Sequence, residues 1–153
     1  MLNRPHSFIL FVFVFVWLSG VTPEASYAQE GELILGGVIE EGEEPLTGVV
    51  IKLYHQSKPV NTIRSGGAGE FELRMDLGKS YTVSFTREGF VTKKVAVNSQ
   101  VPEGEGGRWR VDFSIGLFRQ YPGLDVSALD DPVTRILYKE EERGFGYDGL
   151  YTR

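Results

Sequence analysis

Residues 65–85 read SGGAGEFELRMDLGKSYTVSF, and this stretch decides the fold. Apolar and polar side chains alternate in two runs within it, which begin at Glu70 and Ser80. Such alternation predicts two β-strands, each with one buried and one solvated face. The Asp and Gly of the segment 76–79 between them predict a hairpin turn. We therefore expect an antiparallel pair whose buried face carries Phe71, Leu73, Met75, Tyr81, Val83 and Phe85.

Five further strands are predicted around this pair. The glycines in the first predict a kink or a close backbone approach, and Pro59 predicts that the third lies at a sheet edge. In the last strand Val111, Phe113 and Ile115 share the buried parity, while Asp112 faces solvent. With the opening pair this gives an all-β fold, a seven-stranded antiparallel sandwich. The five strands are 32–39, 48–54, 60–65, 90–98 and 108–118.

Composition narrows the classes of function. The chain has 153 residues, a net charge of -5 and no cysteine. An acidic chain is poorly suited to phosphate backbones, so we expect no nucleic acid partner. The lack of cysteine excludes disulfides, thiolate catalysis and a lipid anchor on cysteine.

Residues 1–28 are predicted to be a secretory signal peptide. Arg4 precedes an apolar run, Phe8–Leu18, and Ser26 and Ala28 place small residues where a signal peptidase requires them. The alternative is an uncleaved anchor, but a spanning helix needs about 20 apolar residues. We expect cleavage after Ala28 and an exported protein, whether periplasmic, outer-membrane-associated or secreted.

The search for catalytic chemistry finds little. His55 is the only histidine after the leader, and no serine lies in a nucleophile-elbow motif. The acidic run Glu40–Glu44 lacks the Asp/Asn pattern of a calcium loop, which favours a solvated turn. Gly66–Gly69 precedes a strand and not a helix, so it is no phosphate loop. We expect no catalytic residue, no metal, no cofactor and no enzyme.

Aromatic side chains offer a different kind of site. Tyr54, Trp109 and Tyr121 are candidate stacking platforms for sugar rings, although the parity of Trp109 also fits the core. A partner surface is the other option, in which the exposed edge at Pro59–Ser65, or the C-terminal tail, docks another protein by strand addition.

The C-terminal segment 120–153 is predicted to be an aromatic and acidic tail outside the domain 29–119. Val133–Tyr138 has strand composition, and a helix over Val133–Arg143 is the alternative. The tail aromatics either fold back onto the sandwich or form the docking surface for a partner. In the second case deleting residues 133–153 leaves a folded domain that has lost its partner. The candidate partner-binding residues are Tyr138, Phe145, Tyr147 and Tyr151.

Several short motifs between residues 32 and 94 together resemble a known family. They are GV at 37–38, EPLTGVVI at 44–51, GEF at 69–71, GKSY at 78–81 and EGFV at 88–91. In order and spacing this segment resembles the carboxypeptidase regulatory-like domain of bacterial envelope type. Ser65–Gly66 departs from the Thr-Asp or Thr-Asn usual there, so we expect a looser turn.

The resemblance implies a transthyretin-like β-sandwich that acts as an accessory module and has no catalytic residues of its own. We therefore predict an exported, non-catalytic module for protein–protein interaction or structural support in the cell envelope, with an envelope protein as partner. One alternative is a carbohydrate-binding module that holds a polysaccharide on its surface aromatics. Another is the accessory subunit of a small hydrolase.

Overall fold

Ten β-strands and one 3₁₀ turn make up the regular structure of residues 29–148, which are the residues that the computed structural model describes. Within those residues, no helix is long and apolar enough to cross a membrane. The predicted signal peptide and Tyr151 lie outside the described residues. The strands are β1 Gly31–Glu41, β2 Glu44–Pro45, β3 Val50–His55, β4 Lys58–Arg64, β5 Glu70–Asp76, β6 Ser80–Thr86, β7 Lys93–Asn98, β8 Gly107–Gly116, β9 Thr134–Lys139 and β10 Gly144–Tyr147, and the 3₁₀ turn is Ser127–Leu129.

The strands form two sheets packed face to face. In the four-stranded sheet β1 pairs with β8 along one edge and with β5 and then β2 along the other. The six-stranded sheet has the order β10-β9-β7-β6-β3-β4. All pairings between strands are antiparallel except β1 with β8 and β7 with β9. The predicted all-β sandwich is confirmed, and β4 with its Pro59 lies at a sheet edge as expected.

The predicted hairpin over residues 65–85 is wrong. β5 pairs with β1 in one sheet, whereas β6 pairs with β3 and β7 in the other. The connection 76–79 therefore crosses between sheets, and it is held where Gly78 N and Lys79 N donate to Ser99 O and Oγ, both at 3.0 Å. Alternation reveals which face of a strand is buried but not which strand lies beside it.

The core lies between the two sheets. Phe71 of β5, Phe85 of β6 and Phe113 of β8 meet edge to face, with ring centroids 5.4, 5.6 and 6.1 Å apart. Glu70, Glu72 and Asp112 point to solvent, and Thr82 is half-buried. The predicted core parity is confirmed for Phe71, Leu73, Met75, Tyr81, Val83, Phe85, Val111, Phe113 and Ile115, all of which are buried.

Gly37 provides the close backbone approach that was expected in the first strand. A Cβ atom there would lie 1.8 Å from the carbonyl oxygen of Phe113 on β8, and the φ of Gly37 is +154°. Only a residue without a side chain fits this spacing.

Ser65 makes its turn tighter than predicted. Its side chain is buried, and its hydroxyl donates to Leu46 O at 2.8 Å and accepts from Val49 N at 3.0 Å. The Glu70 carboxylate accepts from Ala68 N at 2.8 Å within the same turn. These side chains supply the caps that the expected Asp or Asn would have given, so the looser turn is wrong.

Part of the C-terminal segment joins the six-stranded sheet. The strand predicted at Val133–Tyr138 is confirmed as β9, and the helical alternative is wrong. β9 runs parallel to β7, and Ile136 on β9 is fully buried in the core. Strands from both sides of the predicted boundary at residue 119 thus share one sheet, and the boundary itself stays a prediction.

Candidate functional site

A groove of about 690 Å³ lies on the outer face of the six-stranded sheet. The middle strands β3, β6 and β7 form its floor. One end is closed by the β-turn between β3 and β4, and the other by the loop before β9. We refer to it as the outer groove. The residues that line it are Tyr54, Gln56, Ser57, Ser80, Tyr81, Thr82, Ser84, Thr86, Thr92, Lys94, Asp130 and Pro132.

Strand register places the floor residues side by side. Tyr54 on β3 lies opposite Thr82 on β6, and Ser84 on β6 lies opposite Lys94 on β7. The Lys94 ammonium donates to Asp130 O at 2.7 Å, and Val133 N donates to Lys94 O at 2.8 Å. These two contacts hold the loop against β7 and so fix the far side of the outer groove.

The turn at the near end carries unusual backbone. Gln56 and Ser57 are the two residues between β3 and β4, and their φ angles are +48° and +63°. Two-residue hairpin turns of type I′ require positive φ at both central positions, which is why Asn-Gly is their usual sequence. Here two residues with full side chains occupy these positions and also line the outer groove.

Several of the aromatic candidates pack against one another instead of facing solvent. Trp109 is half-buried and meets Tyr138 and Phe145 edge to face, with centroids 5.4 and 6.0 Å apart. Trp109 Nε1 donates to Glu105 O at 3.3 Å, and the Tyr138 hydroxyl donates to Glu105 Oε2 at 2.6 Å. This hydrogen bond, with burial, raises the pKa of Tyr138 above its ordinary value. Of the two readings of Trp109, the structure favours the packed one.

The remaining predicted residues differ in exposure. Tyr147 is 40% exposed, and its ring lies 6.2 Å from that of Phe113. Tyr54 lines the outer groove, and Tyr121 is 63% exposed. The structure therefore groups Tyr138 with Phe145 on Trp109 but does not bring all the sugar-stacking candidates together.

A second surface is the exposed apolar segment 118–124, which follows β8. Its side chains Phe118, Tyr121 and Leu124 are all exposed, Leu124 to 44%. Basic groups lie beside it: the Lys93 ammonium is 5.2 Å from the Phe118 ring centroid, and Arg119 forms a bidentate pair with Glu41 at 2.7 and 3.1 Å. Exposed apolar patches of this kind mark interaction sites.

His55 has structural contacts. Its ring lies 5.3 Å from that of Tyr81, and its Nδ1 is 3.0 Å from Ser80 O. The run Glu40–Glu44 forms a tight β1–β2 connection in which Glu41 is bound to Arg119. Within residues 29–148, no group of three His, Cys, Asp or Glu side chains could hold a metal ion.

Sequence reasoning missed the outer groove, although one signal for it was visible. The outward positions of β6 are occupied by hydroxyl side chains throughout, namely Ser80, Thr82, Ser84 and Thr86. A solvated strand face usually mixes charged and polar residues, so an all-hydroxyl row could have drawn attention to this face.

No protein-family model and no curated protein matches the sequence. Among solved structures, 3-chlorocatechol 1,2-dioxygenase from Rhodococcus opacus 1CP is similar at 12% identity, with 62% of each chain covered and a TM-score of 0.47. The 5-hydroxyisourate hydrolase of Klebsiella pneumoniae is similar at 14% identity over 57% of this chain and 98% of that one, with a TM-score of 0.38. GBS52, the minor pilin of Streptococcus agalactiae, is similar at 18% identity over 65% of this chain and 49% of the pilin, with a TM-score of 0.39.

These likenesses concern the fold. The all-β sandwich is confirmed by its own strands and sheets, whereas its transthyretin-like class and the carboxypeptidase regulatory-like family remain resemblances. The chain spans less than two thirds of the dioxygenase and of the pilin.

The prediction that the protein is not an enzyme is wrong as it stands. The similar structures include a dioxygenase and a hydrolase, so a sandwich of this kind does not exclude catalysis. At these identities and TM-scores the likenesses assign no activity to this chain either.

Proposed function

We propose that the protein is an exported interaction module of the bacterial cell envelope, which binds another envelope protein. Its β-sandwich presents the exposed segment 118–124 as the docking surface. Export rests on the leader sequence, and the assignment to the envelope rests on the resemblance of residues 32–94 to domains of envelope type.

One observation carries the docking surface. Phe118, Tyr121 and Leu124 are large apolar side chains that remain exposed within one short segment. Isolated exposed apolar residues are common, but three large ones within seven residues, next to aromatic and basic side chains, support an interaction surface. The neighbouring Arg87 and Arg119 guanidiniums flank the Phe90 ring at 5.3 and 5.1 Å and hold the base of the segment in place.

Site-specific photo-crosslinking in the producing cell tests this surface. Tyr121→p-benzoylphenylalanine in the full chain should give a crosslink to an envelope protein, and adding Leu124→Asp should abolish it. Val60 is the matched control, because it is 54% exposed and apolar but lies on edge strand β4. Crosslinking from position 121 that does not exceed crosslinking from position 60 contradicts the proposal.

Tyr147 supports a second docking surface on the tail, since it is the most exposed of the predicted partner residues that the structure describes. Tyr138 and Phe145 would support this surface from below through their packing on Trp109. Tyr147→Ser should then reduce capture of the partner, as measured on protein that unfolding curves show to be folded, because the lost ring also lies 6.2 Å from that of Phe113.

Export has its own test. Mass spectrometry of the protein from the producing cells should give an N-terminus at Gln29. A chain that retains Met1 and remains in the membrane fraction contradicts the signal peptide.

A further inference from the structure

The outer groove has the chemistry of a sugar-binding site. We propose that it binds a neutral saccharide chain, with Tyr54 as the stacking residue, the hydroxyl row of β6 as hydrogen-bonding groups, and the Gln56–Ser57 turn as one end of the site. This inference is independent of the protein-docking segment 118–124.

The position of the outer groove excludes recognition by strand addition. Each strand of its floor already has two partners: β3 pairs with β4 and β6, β6 with β3 and β7, and β7 with β6 and β9. Their backbone donors and acceptors are used within the sheet, so an extended peptide finds no free edge here. A ligand in the outer groove is therefore recognised through side chains.

Those side chains suit a polyol. Residues with hydroxyl side chains at positions 80, 82, 84, 86 and 92 line the outer groove, and each hydroxyl can both donate and accept a hydrogen bond. Ser84 is buried, and the Thr92 hydroxyl donates to that of Thr86 at 3.3 Å, so exposed Ser80 and half-buried Thr82 carry the more accessible hydroxyls of the row. Sugar hydroxyls have the same dual character. Tyr54 adds an aromatic ring with a polar tip, which can pack under the apolar face of a pyranose ring.

The charge of the lining indicates an uncharged ligand. Among the described lining residues, Lys94 and Asp130 are the ones of charged type, and their formal charges cancel. The Lys94 ammonium is already engaged by Asp130 O. A phosphate or a uronic acid chain would meet no surplus positive charge, whereas a neutral sugar needs none.

The backbone of the turn supports a binding role by an independent route. Gln56 and Ser57 hold positive φ angles that side-chain-bearing residues adopt at a cost, and Asn-Gly would close the same turn without strain. Backbone strain concentrates at binding and catalytic sites, where side-chain chemistry outweighs local stability. Both residues line the outer groove. We therefore attribute the strained backbone of the turn to a requirement for the Gln56 and Ser57 side chains in ligand binding.

Binding of defined oligosaccharides to the protein expressed from the full chain tests the proposal. The probes are maltohexaose, cellohexaose, xylohexaose and chitohexaose, with an oligogalacturonate as the anionic comparison. We expect at least one neutral probe to shift the amide NMR signals of Tyr54, Ser84 and Lys94. The proposal is overturned if no neutral probe shifts these signals, or if the oligogalacturonate binds more tightly than every neutral one.

Variants then locate the binding. Tyr54→Ala should weaken affinity about tenfold, as the loss of one aromatic anchor typically does, while the exposed Tyr121→Ala should not. Thr82→Val removes one hydroxyl and should also weaken binding, unlike Thr62→Val on the exposed strand β4. Equal losses in a variant and its control overturn the assignment of the site.

The turn gives the sharpest result. The double variant Gln56→Asn with Ser57→Gly should raise the Tm, because it relieves the backbone, and should weaken binding of the same probe. If the Tm rises and the affinity for the probe is unchanged, the Gln56–Ser57 turn does not contribute to the binding site.

Discussion

Ile136 of β9 lies directly opposite Val97 of β7, and both side chains are buried in the core. The C-terminal segment therefore contributes a core residue to a sheet built mainly from the preceding domain. Ile136→Ala should lower the free energy of unfolding by about 2–5 kcal/mol, because it leaves a cavity in that core. Leu137→Ala is the control, since Leu137 is half-buried on the opposite face of β9. Urea denaturation measures both, and equal losses would contradict the assigned parity.

Deleting residues 133–153 is expected to destabilise the protein, in contrast to the outcome expected from sequence. The deletion exposes the free edge of β7 and removes the packing of Tyr138 and Phe145 on Trp109. Circular dichroism with thermal unfolding should show a much lower Tm or no cooperative transition. If the truncated chain has an unchanged Tm, residues 133–153 do not contribute to the stability of the sandwich.

Gly36 and Gly37 are adjacent on β1 but should respond differently to alanine. At Gly37 the new Cβ would lie 1.8 Å from the backbone oxygen of Phe113, so Gly37→Ala should cost about 1–3 kcal/mol or more. At Gly36 the nearest atoms are the side-chain ends of Asp112 and Arg110, at 2.5 and 2.7 Å. These ends can move aside, so Gly36→Ala should change stability by about 1 kcal/mol or less. Denaturant unfolding of the two variants checks the order.

Ser99 should matter as much as a core residue. Its fully buried hydroxyl accepts from Lys79 N at 3.0 Å and lies 2.8 Å from both Asp76 O and Lys79 O, between which its single proton is shared. Ser99→Ala removes the side-chain partner of Lys79 N and Asp76 O at the crossing between the sheets, while Lys79 O keeps its bond from Ser99 N at 2.9 Å, and it should cost about 1–3 kcal/mol. The exposed Ser114→Ala should stay within about 0.5 kcal/mol. If chemical denaturation shows the same free energy of unfolding for Ser99→Ala and the parent, the hydrogen bonds of the Ser99 hydroxyl do not stabilise the crossing.

The Tyr138–Glu105 hydrogen bond predicts a pH dependence at high pH. That bond and burial raise the pKa of Tyr138 in the folded protein above its ordinary value of 10.0. The stabilisation that protonated Tyr138 gives the folded state is therefore fully present below the pKa of the unfolded chain, and it is lost as pH rises through the pKa of the folded protein. Tyr138→Phe should therefore lose less stability than the parent above about pH 10. Unfolding curves at several alkaline pH values measure this, with Tyr121→Phe as control. Parallel losses in the parent and Tyr138→Phe would contradict the prediction.

The strands could be predicted from sequence because burial on one face imposes alternation, as in Phe71, Leu73 and Met75. The pairing of β5 with β1 could not be predicted, because both sheets bury the same kind of face against one core. The parallel addition of β9 beside β7 also depends on contacts between distant residues.

The outer groove was partly visible in the sequence. The hydroxyl row of β6 follows from strand parity alone, and Tyr54 was a candidate for sugar stacking. The contact of Lys94 with Asp130 joins residues 36 positions apart, and no local pattern signals it. Nor does the composition of Gln56 and Ser57 reveal positive φ, because polar residues are common in every kind of turn.

The pairing of β1 with β8 also has a consequence for the order of assembly. β1 is made early, yet it gains β5 only after residue 76 and β8 only after residue 116 have been synthesised. The Glu32–Arg108 ion pair across β1 and β8 closes a loop of 76 residues. Contacts this distant in sequence form slowly, because the entropy of closing the loop is lost before any contact is gained. The emerging chain is thus kept from its native state until nearly all of it is made. Under the export that we propose, this delay would keep the chain unfolded and competent for translocation.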